Sequence, residues 1–214
     1  MFNFFLFTEP SRMDMIKFFT SRALSQRLEI NLAKWKRWSR EFLPPDPLGG
    51  MQSGYARQYN PDQAFTVYLG GLLVADLKFT IPEAKQIIQD LQGWLAEKGF
   101  YFNASGKILP GTGEDEIVKK YILLIEGGKP KDDRFDFIYT VRGIISNESV
   151  DYNGIEIMKE LYTQTPIGLR PETPSRMGMN IVKILKITDI LNDYANLMDL
   201  DRMHYPAISP QTSL

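Results

Sequence analysis

The sequence predicts an α+β protein, and three features carry that expectation. From Thr20 to Gly99, apolar residues recur at helical spacing between capping, proline and glycine signals. Two later runs, KKYILLIEGG and RFDFIYTVRGIIS, are rich in β-branched and aromatic residues and read as strands. Met179 to Leu200 then returns to helical spacing. The expected organisation is a helical domain over 16–99 and a small α+β domain over 115–200, the latter with a short antiparallel sheet and a C-terminal helix. Residues 1–15 and 201–214 are expected to be flexible.

Within the first domain, Thr20 or Ser21 caps a short helix whose buried stripe is Leu24 and Leu28. Asn31 caps a second helix in which Leu32, Trp35, Trp38 and Phe42 form one apolar face. Lys34, Lys36, Arg37 and Arg40 fall on its remaining faces, and PPDP ends it. LGGMQSGYARQY reads as a hairpin, with Tyr55, Arg57 and Tyr59 near its end. Asn60-Pro61-Asp62-Gln63 opens a third helix through Ala64, Val67, Tyr68 and Leu72, interrupted by Gly70-Gly71. Thr80-Ile81-Pro82-Glu83 opens a fourth, bearing Ala84, Ile87, Ile88, Leu91, Trp94 and Leu95 and closed by Gly99. Two short helices, a hairpin and a helix pair in that order make a winged helix-turn-helix, a unit that reads duplex DNA.

Charge is distributed to match. The net charge is −1, yet residues 16–59 hold eight Lys/Arg against three acids, and residues from 60 onward hold 16 against 21. A locally basic segment in a near-neutral chain suits a phosphate-binding face. An aromatic inner stripe anchors the second helix while its cations reach phosphates and base edges. The alternative for the same cations is a solvated helix face.

The order of motifs also resembles the DNA-binding domain of the MerR family. AKWKRWSREFLPP, SGYARQYNPDQ and KFTIPEAKQII stand where that family has its recognition helix, its wing and the start of its next helix. The likeness covers about 70 residues, a third of the chain. It implies that Lys36 and Arg37 contact DNA, that Trp38 packs, and that Arg57 is a wing arginine. Lysine stands at 36 where the family has arginine, which weakens bidentate guanine readout but not phosphate contact. The expected DNA-contacting set is Arg22, Lys34, Lys36, Arg37, Arg40, Tyr55, Arg57 and Tyr59. The expected partners are double-stranded DNA and a second copy in a homodimer, with a small-molecule or protein effector as a further possibility. The resulting expectation is a sequence-specific transcription regulator. Its alternatives are an excisionase-like architectural DNA-binding protein and an interaction adaptor that no longer meets DNA.

The other half supplies fewer signals. FYFNASGKILPGTGEDE reads as a polar link with a boundary near 100–115, and GKPKDDR as a turn between two antiparallel strands. YNGIEIMKELYTQTP fits a third strand or a short helix. In the last helix, Ile184, Ile187, Leu191, Tyr194 and Met198 have the spacing of a coiled-coil seam, but under three heptads favour burial against the protein's own sheet. A family-like long dimerising helix does not follow the fourth helix, so the second domain becomes the alternative dimeriser or effector site.

Several functions are not expected. The chain has no cysteine, which excludes disulfides, thiolate metal sites and thiol-based sensing. Its one histidine, His204, sits in a polar tail. IEGGKPKDD lacks the spacing of a phosphate-cradling loop, Ser146-Asn147-Glu148 has no histidine beside it, and Glu114-Asp115-Glu116 reads as a solvated loop or helix start. No enzyme activity and no cofactor are therefore expected. No apolar run approaches the roughly 18–20 residues of a membrane span, and MFNFFLF is too short and unflanked for a signal peptide. It reads as translated upstream sequence, with Met13 and Met15 just before the first helix. The expected location is cytoplasmic.

Overall fold

A computed structural model describes residues 16–47, 56–108, 118–131, 134–168 and 181–201. Its element order is β1 (Phe19–Thr20), α1 (Ser21–Arg27), α2 (Leu32–Phe42), β2 (Gln58–Tyr59), α3 (Pro61–Ala75) and α4 (Ile81–Glu97). There follow β3 (Lys120–Lys131), β4 (Arg134–Tyr152), β5 (Ile155–Ile167), β6 (Val182–Leu185) and α5 (Ile187–Met198). The protein is α+β. The described strands form an antiparallel pair β1-β2 and an antiparallel sheet of order β5-β4-β3-β6. None of the described helices is long and apolar enough to cross a membrane.

Local chemistry sets the helix starts. Thr20 Oγ1 accepts from Ala23 N, and Asn31 Oδ1 accepts from Ala33 N and Lys34 N. Asn60 with Gln63, and Thr80 with Glu83, each close a reciprocal capping box with proline in the first turn. Between α1 and α2 the chain turns through Glu29, which takes a left-handed φ of 54°. Ser25 fastens that turn by donating to Ile30 O and accepting from Ile30 N through its own carbonyl.

Gly70 and Gly71 do not interrupt α3. They let α2 approach: a Cβ at Gly70 would lie 2.6 Å from the Phe42 ring, and one at Gly71 would overlap the Trp38 ring. Helix propensity is given up for close packing of two helices.

The helices and the sheet share one hydrophobic core. Tyr194 of α5 is buried among Phe65, Tyr68 and Phe102, and its hydroxyl donates to Pro61 O at 2.9 Å. Asp62 Oδ1 accepts from Phe102 N, while burial pushes the Asp62 carboxyl above the usual carboxylate range. Phe100 and Phe102, which open the stretch read as a link, are thus core residues: Phe100 stacks on Trp94. Aromatic burial outweighs the polar composition that follows them. The Gln86 amide bridges α4 to β4, donating to Phe135 O and accepting from Phe135 N. Asp90 accepts from Tyr139 Oη and Arg134 beside it.

Three expectations in this half change. YNGIEIMKELYTQTP, left between strand and helix, is strand: Asn153 and Gly154 both adopt positive φ and make a two-residue hairpin turn between β4 and β5. Met179–Leu200 is not one helix. The β-branched run at Val182 and Ile184 pairs with β3, and the helix begins at Ile187. Ile184 is accordingly exposed, while Ile187, Leu191, Tyr194 and Met198 are buried inside the chain's own core. Finally, GKPKDDR, expected as a turn, is strand up to Lys131 and again from Arg134, and residues 132–133 lie outside the described set. Residues 1–15 and 202–214 also lie outside it.

Candidate functional site

The α2 helix is held by its inner face. Trp35 is fully buried and meets the Tyr59 ring edge-on at 5.7 Å, while Trp38 and Phe42 sit against the glycines of α3. Its outer residues, Lys34, Lys36, Arg37 and Arg40, are all exposed. Lys36 and Arg40 are four residues apart and share one row. The sole acid of α2, Glu41, pairs with Lys85 of α4 at 3.7 Å.

Lys36 and Arg40 line a cleft of about 530 Å³ together with Arg22 from α1 and Arg57 from the segment before β2. Thr20 and Ser21 also line it, and among the described residues no carboxylate does. Four cations around one concavity repel one another, and an anion seated there relieves that repulsion.

The eight cations of residues 16–59 divide by use. Lys17 Nζ donates to Asp199 O, and Arg27 donates to Met198 O, so both serve the carboxy-terminal end of α5. Arg57 donates to Pro44 O at 2.9 Å and lies over the Tyr59 ring. Among the described residues, Arg22, Lys34, Lys36, Arg37 and Arg40 make no side-chain ion pair or hydrogen bond. The expected site residues are therefore not one group: Arg22, Lys36, Arg40 and Arg57 converge on the cleft, whereas Lys34 and Arg37 stand outside it.

Tyr59 also lines the cleft, as a buried residue. It is 1% exposed, its hydroxyl donates to Ser39 Oγ at 3.1 Å, and it lies 3.1 Å from Ser21 Oγ. Ser39 in turn donates to Lys36 O. The phenol so enclosed ties β2, α1 and α2 together. Its burial follows from the pairing of β2 with β1, Phe19 opposite Tyr59 and Thr20 opposite Gln58. Of the hairpin expected over 48–59, residues 48–55, Tyr55 among them, lie outside the described set, and residues 58–59 form β2. Thr20 and Ser21 were legible as helix caps but carried no signal of belonging to a cleft. Among the described residues no three of His, Asp or Glu converge as metal ligands would. Compared with known proteins, the chain matches no family model, no curated protein and no solved structure.

Proposed function

We propose that the protein is an intracellular, non-catalytic, sequence-specific duplex-DNA-binding regulator, and that residues 16–99 are a MerR-like winged helix-turn-helix. One observation carries this reading: among the described residues, five cations on α1 and α2 have no partner, and three of them, Arg22, Lys36 and Arg40, border with Arg57 a cleft that no described acid lines. Cations arranged as internal ion pairs would argue otherwise. The order α1, turn, α2, then a strand returning beside α1, supports the same reading.

In this account α2 lies in the major groove. Lys34 and Arg37 lie to one side of the row that Lys36 and Arg40 form. Arg22, Lys36 and Arg40 neutralise phosphates lying along the cleft, so affinity falls steeply with salt. Arg57 positions the segment after α2 as well as adding charge.

Selection from a pool of random duplexes tests it. Enrichment of an inverted repeat is the expected result, because two half-sites reflect a two-fold dimer. Retention without a motif would replace sequence-specific regulation with an architectural role. No retention at low salt would overturn DNA binding altogether.

A further inference from the structure

The β4-β5 hairpin reaches far beyond the body it starts from. Twelve of the thirteen residues of β5 are exposed. In an antiparallel ladder, directly paired residues share a face and alternate along each strand. Ile167 pairs with Tyr139 and Thr165 with Val141, and both partners lie in the core. The same face of β5 continues, past Lys159 paired with Glu148, through the apolar Leu161, Ile157 and Ile155, the last two paired with Val150 and Tyr152. These five apolar side chains are exposed, Ile155 at 67% and Leu161 at 59%. The core face of the sheet thus runs on, uncovered, along an arm of some seven residue pairs, about 24 Å at the usual strand rise.

The arm is also an open edge. Among the described residues, β5 ends the sheet with thirteen residues of unpaired outer backbone, whereas the opposite edge, β6, is only four residues long. Proteins that stay monomeric blunt such edges, and a two-stranded ribbon alone is marginal in water.

We infer that β5 pairs antiparallel with β5 of a second copy, centred on Leu161, to join two four-stranded sheets into one of eight. Three observations select this occupant. A self-pairing that uses the whole strand places Ile155 opposite Ile167 and Leu161 opposite itself, because 155 and 167 are equidistant from 161. In that register no like charges face each other: Glu156 meets Pro166, Lys159 meets Thr163, and Glu160 meets Tyr162. Shifting the centre to 159 or 160 sets Lys159 or Glu160 against itself, which is unfavourable. A cleft of about 520 Å³ opens between α4 and Thr163, Thr165 and Ile167 of β5. The partner's Ile155 and Ile157 would run along its mouth. The pairing closes on itself and leaves only the short β6 edges, giving a dimer rather than a filament.

The inference rests on the sheet and not on the DNA-binding reading, so its test uses the full chain without nucleic acid. Sedimentation velocity is expected to give twice the 24.6 kDa chain mass at micromolar concentration. Leu161→Arg, at an exposed position, is expected to give a folded monomer by circular dichroism. The chain has no cysteine, so Leu161→Cys supplies a lone thiol. Directly paired Cα atoms are about 4.5–5.5 Å apart, within disulfide range, and oxidation is expected to yield a covalent dimer. Lys159→Cys is the control, its two copies being offset by four residues, roughly 14 Å. A monomeric parent overturns the proposal, as does a dimer that tolerates Leu161→Arg or that cross-links as well through 159 as through 161.

Discussion

The hydroxyl of Tyr59 donates to Ser39 Oγ across 3.1 Å, joining the two-residue strand β2 to the middle of α2. With Ser21 on the other side of the same phenol, the bond fixes how α2 presents Lys36 and Arg40. Tyr59→Phe removes the oxygen and keeps the ring that meets Trp35. The expected loss is about 1 kcal/mol, the net worth of a typical buried hydrogen bond, or about 2–4 °C in Tm for a chain of this size. Duplex affinity at fixed salt is expected to stay unchanged. Weakened binding at unaltered Tm would show that the Tyr59 hydroxyl meets phosphate after all.

Which features the sequence made legible follows from how local each one is. The caps Asn31, Asn60 and Thr80, the two-faced α2 and the helix end at Gly99 are decided within a turn or two of chain, and each is where the sequence put it. The burial of Tyr59 depends on its pairing with Phe19 of β1, 40 residues earlier. Tyr194 finds its acceptor at Pro61, 133 residues away, and β6 becomes a strand through its pairing with β3. In the candidate site, residue type and helical face identified the cations. Sorting them into cleft, flank and structural tie needed the positions of α5, β1 and Pro44, which no local pattern contains.

The glycines of α3 and α4 give a paired test. A methyl at Gly71 meets the buried Trp38 ring, whereas one at Gly93 meets nothing within 4 Å. Gly93→Ala is expected to stabilise by about 0.5–1 kcal/mol through helix propensity. Gly71→Ala gains the same propensity but overpacks the contact between α2 and α3, at about 1–3 kcal/mol, so a net loss is expected. Denaturant melts of both variants measure this. Equal stabilisation by the two would refute the close approach of α2 to α3.

Asp62 gives a pH test. Burial raises its carboxyl above the ordinary range, against the smaller opposing effect of the Phe102 N–H. The folded chain therefore holds this proton more tightly than the unfolded chain. Its contribution to stability is present at acid pH and lost as pH rises through the raised value. Asp62→Asn keeps an acceptor for Phe102 and removes the charge. Its Tm relative to the parent is expected to be higher at pH 7.5 than at pH 4. A difference that shrinks or reverses at pH 7.5 would mean that the ionised carboxylate is favoured at the start of α3.

The central claim is that the unpartnered cations of the cleft bind the DNA backbone. It is tested most directly by titrating salt against duplex affinity for the parent and for Lys36→Ala/Arg40→Ala. Both residues are exposed, so the double variant is expected to fold with unchanged Tm. Each phosphate contact contributes about 0.9 to the slope of log K against log salt. The double variant is expected to bind more weakly, with a slope shallower by about 1.8. Parent-like affinity and slope in a folded double variant would contradict the claim.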